Sequence, residues 1–150
     1  MSLSTEPVLA LLALRGAIDA ELRRRGAVRS SRLGEWYETL VARATGGTLT
    51  PQGTPGHAVV SPEGLRYEVK AQRRRPYVDI KSFDFDVLVV VIFGEDARVQ
   101  KATAVPVQAV RAGARPCKKR DARGEPMMWL PAPAVVGEDW TSRLREAEGA

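Results

Sequence analysis

The run Val87-Leu-Val-Val-Val-Ile-Phe93 constrains the fold more than any other stretch of this chain. A strand with one wet face alternates apolar and polar residues, whereas this one is apolar throughout, so it predicts a central strand covered on both faces. It is far too short to cross a bilayer. Shorter segments at 48–50, 57–60, 65–71 and 99–105, each bounded by glycine, proline or aspartate, supply further strands. Asp84 and Asp86 alternate with Phe83 and Phe85 and mark the entry to the central run.

Helices flank these strands. Leu11, Leu14, Ile18 and Leu22 recur at helical spacing within residues 5–25, with Pro7 placed for a first turn and Gly26 for a stop. A second helix carries Leu33, Trp36, Tyr37, Leu40 and Val41 as one buried stripe, with Ser30 or Ser31 as its cap and Gly46 and Gly47 as its end. A short helix over 106–112 and a final one, capped by Asp139 or Thr141 and reaching about Glu148, complete the set. The basic segment 115–124 reads as a solvated loop. The order predicts an α/β sandwich with a mixed central sheet flanked by helices. It forms one domain over residues 1–150: an N-terminal helix within 1–29, a core at 30–110, and a basic loop and last helix at 111–150.

The formal net charge of +5 favours polyanionic partners, because a basic surface supplies sequence-independent affinity for phosphate backbones. The single cysteine, Cys117, excludes an internal disulfide. Glu6 and Glu21 stand where a leader would be basic, so a soluble, cytoplasmic protein with no membrane partner is expected.

The chemistry concentrates in Gly64-Leu-Arg-Tyr-Glu-Val-Lys-Ala-Gln72. On a strand, Glu68, Lys70 and Gln72 line one face, and Tyr67, Val69 and Ala71 the other. A carboxylate able to hold a hard divalent cation, beside an amine able to steady a water or a phosphate, equips a metal-dependent nuclease. The same alternation also suits any half-exposed strand. Arg73, Arg74 and Arg75 follow at once, either as a phosphate track or as a solvated strand end.

The layout of this strand behind the helix Leu33-Gly-Glu-Trp-Tyr-Glu-Thr-Leu40, the loop Gln52-Gly-Thr-Pro-Gly56 and a short apolar strand resembles the PD-(D/E)xK nuclease superfamily. Its small members related to restriction enzymes and Holliday-junction resolvases are the nearest in kind, and the resemblance covers residues 30–110. It implies a restriction-endonuclease-like three-layer sandwich and hydrolysis of phosphodiester bonds in double-stranded or branched DNA. Mg²⁺ or Mn²⁺ would be the cofactor, and a homodimer a candidate assembly. Glu68 and Lys70 match the acidic-x-lysine triplet. Glu38 best matches the helix acid, with Glu35 as competitor, although the helix dipole alone accounts for an acid at Glu35. Gln72 would orient the water or touch a phosphate, and Arg73, Arg74, Arg75, Lys118, Lys119 and Arg120 would contact the nucleic acid.

One element departs from the pattern. The family's second strand opens glycine, aromatic, aspartate, apolar, apolar, and here Gly56-His57-Ala58-Val59-Val60 places Ala58 at the acid position, ten residues before Glu68. Alanine cannot ligate a metal, so cleavage is expected to be severely reduced. The alanine fits an inactivated variant, a natural degenerate member that keeps only binding, a different alignment, or replacement of the acid by His57. The rival readings are a non-catalytic nucleic-acid or partner-binding module on the same fold, and an interaction protein that uses Trp36, Trp129 and Trp140 at a surface.

Overall fold

A computed structural model describes residues 2–30 and 32–149. Helices α1 (Val8–Arg24) and α2 (Gly34–Thr45) precede strands β1 (Thr48–Leu49), β2 (Val59–Val60), β3 (Arg66–Gln72), β4 (Tyr77–Ile80), β5 (Val87–Phe93) and β6 (Val99–Pro106). Then come α3 (Val107–Gly113), β7 (Arg115–Arg120), β8 (Pro126–Pro131), β9 (Glu138–Asp139) and α4 (Thr141–Glu148). Six strands form one mixed sheet in the order β1-β2-β3-β5-β6-β9, in which β3 and β5 are parallel and every other pair is antiparallel.

The apolar run behaves as its composition requires. Val89 and Val91 face a core built with Tyr37, Leu40 and Val41 of α2, Val69 of β3, and Trp140 and Leu144 at α4. Leu88 and Val90 face a second core with Phe85, Val110 of α3, Val78 and Ile80 of β4, and Leu130 of β8. Both faces of β5 are thus dry, and a sheet with a doubly covered strand is a mixed α/β architecture. The alternation on β3 also holds: Tyr67 and Val69 are buried, while Glu68 and Lys70 are half-buried. Arg66 pairs with both Asp84 and Asp86, and its backbone N–H donates to Asp86 at 2.8 Å, so these acids fasten the entry of β5 to the start of β3.

Three expectations need correction. The basic segment is a strand, not a loop: β7 joins β8 and β4 in a separate antiparallel sheet of three strands, in the order β4-β8-β7, which covers part of the second face. All residues of β7 except Cys117 are exposed, so no apolar alternation marks it in the sequence. The stripe on α2 is narrower than expected, since Leu33 is exposed and precedes the helix, while Tyr37, Leu40 and Val41 are buried. The Ser30 hydroxyl does not cap α2 but donates to the Glu35 carboxylate, and Ser31 lies outside the described residues. Helix α1 forms where its periodicity places it yet buries no residue, and Leu9, Leu12 and Ile18 remain exposed. No described helix is long and apolar enough to cross a membrane.

Candidate functional site

Strand β2 is only two residues long and pairs with Arg66 and Tyr67. One further bond, from the Ala58 N–H to the Tyr67 carbonyl at 2.8 Å, ends the ladder, so from Glu68 onward β3 has a strand partner on the β5 side alone. Backbone groups of alternate residues point to alternate sides, so Val69, two residues beyond Tyr67, directs its N–H to the open side. The carboxylate of Glu68 accepts that N–H at 2.9 Å. This bond draws the Glu68 head from its own face of the sheet toward the uncovered edge.

From the opposite layer, α2 brings Glu35 and Glu38 to the same edge. Together with Ala58, Glu68 and Lys70 they line one cavity of about 780 Å³. A further wall is the loop 50–57, fastened by Thr50, whose N–H donates to the Ala58 carbonyl at 2.9 Å and whose hydroxyl reaches the His57 carbonyl at 3.1 Å. Gly56 at φ +87° lets this loop lie on Asp84, where a Cβ would come within 2.7 Å of the Asp84 Cβ. The cavity therefore unites the helix acid, the strand acid and amine, and the alanine.

The two helix acids differ in state. Glu35 is buried, with its side chain 7% exposed, and accepts the Arg29 N–H at 2.8 Å, the Ser30 hydroxyl, and the Gln52 amide at 3.4 Å. Burial pushes its carboxyl upward, but the Ser30 and Arg29 hydrogen bonds and the charges of Arg29 and Arg32 outweigh it and hold the group below the ordinary carboxylate value. A carboxylate so engaged is a structural clamp, which sets aside its candidacy as a ligand. Glu38 makes no hydrogen bond or ion pair among the described residues. Burial, reinforced by the negative charges of Glu35 and Glu68 against the opposing pull of Arg29 and Arg32, raises its carboxyl above the ordinary value. Its charged form therefore costs stability once the pH rises through the ordinary carboxylate value, and the cost vanishes below it. Glu38→Gln is expected to raise the melting temperature of the metal-free protein at pH 7 and to leave it unchanged near pH 4, as measured by thermal denaturation.

A divalent cation would relieve the same repulsion, and Glu38 and Glu68 are oxygen donors of the class that Mg²⁺ and Mn²⁺ take. With the Glu35 carboxylate engaged by Arg29, Ser30 and Gln52, Glu38 and Glu68 are the two carboxylates left for an ion, because position 58 is an alanine. Among the described residues no group of three or more Asp, Glu, His or Cys side chains is arranged to hold a metal. Mg²⁺ keeps several waters and often takes only one or two protein carboxylates alongside substrate phosphate, so this donor set fits an ion held jointly with a phosphate.

The other candidates lie elsewhere. Gln72 shares a strand face with Glu68 and Lys70, but its amide donates to the Tyr77 carbonyl at 3.1 Å and it lines a separate cavity with Arg74 and Arg75. That bond braces the turn between β3 and β4, and neither Gln72 nor Arg73, Arg74 and Arg75 line the cavity of the acids. Arg73 approaches Glu95 at 3.9 Å on the surface, and the Arg75 guanidinium lies 5.8 Å from the Tyr77 ring. Lys118, Lys119 and Arg120 are exposed along β7. The rim has cations that the sequence did not advertise, Arg29, Arg32, Lys81 and Arg123, drawn from three separate connections. His57 lines the cavity with its Nδ1 buried and unpartnered among the described residues. Of the tryptophans, Trp140 is core, Trp36 packs against that core, and Trp129 stacks edge-on with Tyr77. No protein-family model matches the chain, and no curated protein matches it either.

Proposed function

We propose that this chain is a nucleic-acid-engaging domain of the PD-(D/E)xK nuclease type, with a restriction-endonuclease-like arrangement, whose cleavage of DNA is limited by Ala58. The observation that carries the reading is the convergence of Glu38 from α2, Glu68 and Lys70 from β3, and Ala58 from the threshold of β2 on one cavity at an open sheet edge. Glu38 and Glu68 would hold Mg²⁺ or Mn²⁺, which supplies polarisation of a phosphate oxygen and acidification of a bound water. The Lys70 ammonium, which has no ion-pair partner among the described residues, faces the same space and offsets charge accumulating on a phosphate there. Arg32, Lys81 and Arg123 at the rim attract the backbone on either side, and the net charge of +5 extends that attraction over the molecule.

Equilibrium binding to a short DNA duplex across a salt series tests the phosphate part of this reading. Log affinity is expected to fall linearly with log salt, and Lys81→Ala to reduce the slope by about one. Lys70→Ala is expected to suppress cleavage more than binding. Affinity that ignores salt, or no association even at low salt, overturns the proposal. The lack of an acid at position 58 favours one variant of it, a binding domain that has ceased to cut, and placing an aspartate there separates the two.

A further inference from the structure

We propose that a second cavity, adjoining the first, is a subsite for one unpaired nucleobase, so that the preferred ligand is DNA with a single-stranded overhang or branch rather than a continuous duplex. The inference rests on the phosphodiester reading above and adds the form of the substrate to it. The second cavity, about 480 Å³, lies on the far side of a wall formed by Lys81, Ser82 and Arg123, which line both spaces. Beyond that wall the lining is mostly apolar, with Ile80, Phe83, Pro126, Met127 and Met128, and Asp121 is its one acid among the described residues.

Ile80 and Met128 are register partners in the pairing of β4 with β8, and Phe83 and Met128 pack partly buried against the second core. The floor of the cavity is therefore the place where that core reaches the surface. The Arg111 guanidinium sits 4.7 Å from the centre of the Phe83 ring and steadies it. Thioethers and an aromatic ring make a polarisable apolar slot, which suits a flat heteroaromatic ring of any base identity. At its entrance Lys81 has no ion-pair partner among the described residues, whereas exposed Arg123 forms an ion pair at 3.7 Å with Asp121, which also lines the cavity. An unpaired lysine beside an exposed, partly neutralised arginine at the mouth of the slot suits a nucleotide, whose phosphate must lie beside its base. A paired base reaches such a slot only after unstacking, whereas an unpaired one enters directly.

Fluorescence anisotropy on the full chain, in chelator so that no strand is cut, tests this with three ligands. These are a blunt duplex, the same duplex with a short overhang, and that overhang with an abasic site at its first unpaired nucleotide. Both overhang polarities are measured. The intact overhang is expected to bind about tenfold more tightly than its abasic twin, which carries the same phosphates. Met127→Ala, at a half-exposed position, is expected to erase that difference while leaving the affinity for blunt duplex unchanged. Equal affinity of intact and abasic overhangs in both polarities, with steep salt dependence retained, overturns the base subsite alone. Absence of salt-dependent binding to all three ligands overturns the phosphodiester reading and the subsite with it.

Discussion

Ala58→Asp is expected to raise Mg²⁺- or Mn²⁺-dependent cleavage of DNA by about 10²–10³-fold over the unaltered chain, the range by which a single well-placed electrostatic group changes turnover. The position is only 8% exposed, lines the cavity that holds Glu38 and Glu68, and has both backbone groups engaged, so the new carboxylate would enter the acid cluster rather than swing to solvent. The same burial makes the variant less stable without metal, by about 1–3 kcal/mol, since a further negative charge joins a site where burial, and then the charges of Glu35 and Glu68, already hold the Glu38 carboxyl up. Metal at a hundredfold excess over its dissociation constant would return about 2.7 kcal/mol. Ala58→Asp should therefore melt lower than the unaltered chain in chelator and recover in Mg²⁺ or Mn²⁺. Absence of both cleavage and a metal-dependent gain in melting temperature in the variant would end the nuclease interpretation and leave the binding one.

Glu35→Ala is expected to destabilise the fold by about 3 kcal/mol, as removal of one partner from a buried charged network does. Its carboxylate ties the Arg29–Ser30 segment to Gln52, and the Arg29 guanidinium extends the tie to the Thr50 carbonyl at 2.7 Å. The network thus joins the approach to α2 with the loop that walls the cavity. Glu35→Gln keeps the shape and part of the hydrogen bonding and should lose about half as much. A carboxyl held below its ordinary value contributes stability that is fully present above that value, 4.5, and is lost as the pH falls through the depressed folded-state value. Urea midpoints from pH 3 to pH 7 should accordingly show a shallower acid limb in Glu35→Ala than in the unaltered chain. A variant within about 0.5 kcal/mol of the original at pH 7, the range of an ordinary surface substitution, would remove Glu35 from this role.

The parts of the molecule that show in the sequence are those where burial leaves a period. The apolar run of β5, the alternation of β3 and the Tyr37-Leu40-Val41 stripe of α2 each bury a face, and each was readable as an element with an orientation. That Glu38, Ala58, Glu68 and Lys70 line one cavity follows in the sequence only from the family resemblance, since no local spacing ties a residue of α2 to a strand thirty positions later. The second sheet was hidden for the converse reason: β7 has almost no buried side to pattern, and β8 begins and ends on prolines. Lys81 and Arg123 were equally hidden, since each reaches the cavity from a connection whose path follows from strand pairing rather than from local spacing. For Glu35 the sequence offers a helix-dipole role or a ligand role, and the clamp it forms through Arg29, Ser30 and Gln52 is visible only in its buried hydrogen bonds.

The shortness of β2 gives Glu68 and Lys70 a duty separate from any chemistry. A strand that ends its pairing early invites a neighbouring molecule to continue the ladder, and charged side chains beside the vacant rungs are the usual guard against such stacking. Replacing both groups with apolar residues should therefore promote self-association, visible as light scattering on concentration. Single substitutions, which leave one guard in place, are the ones whose effects on turnover can be read without that complication.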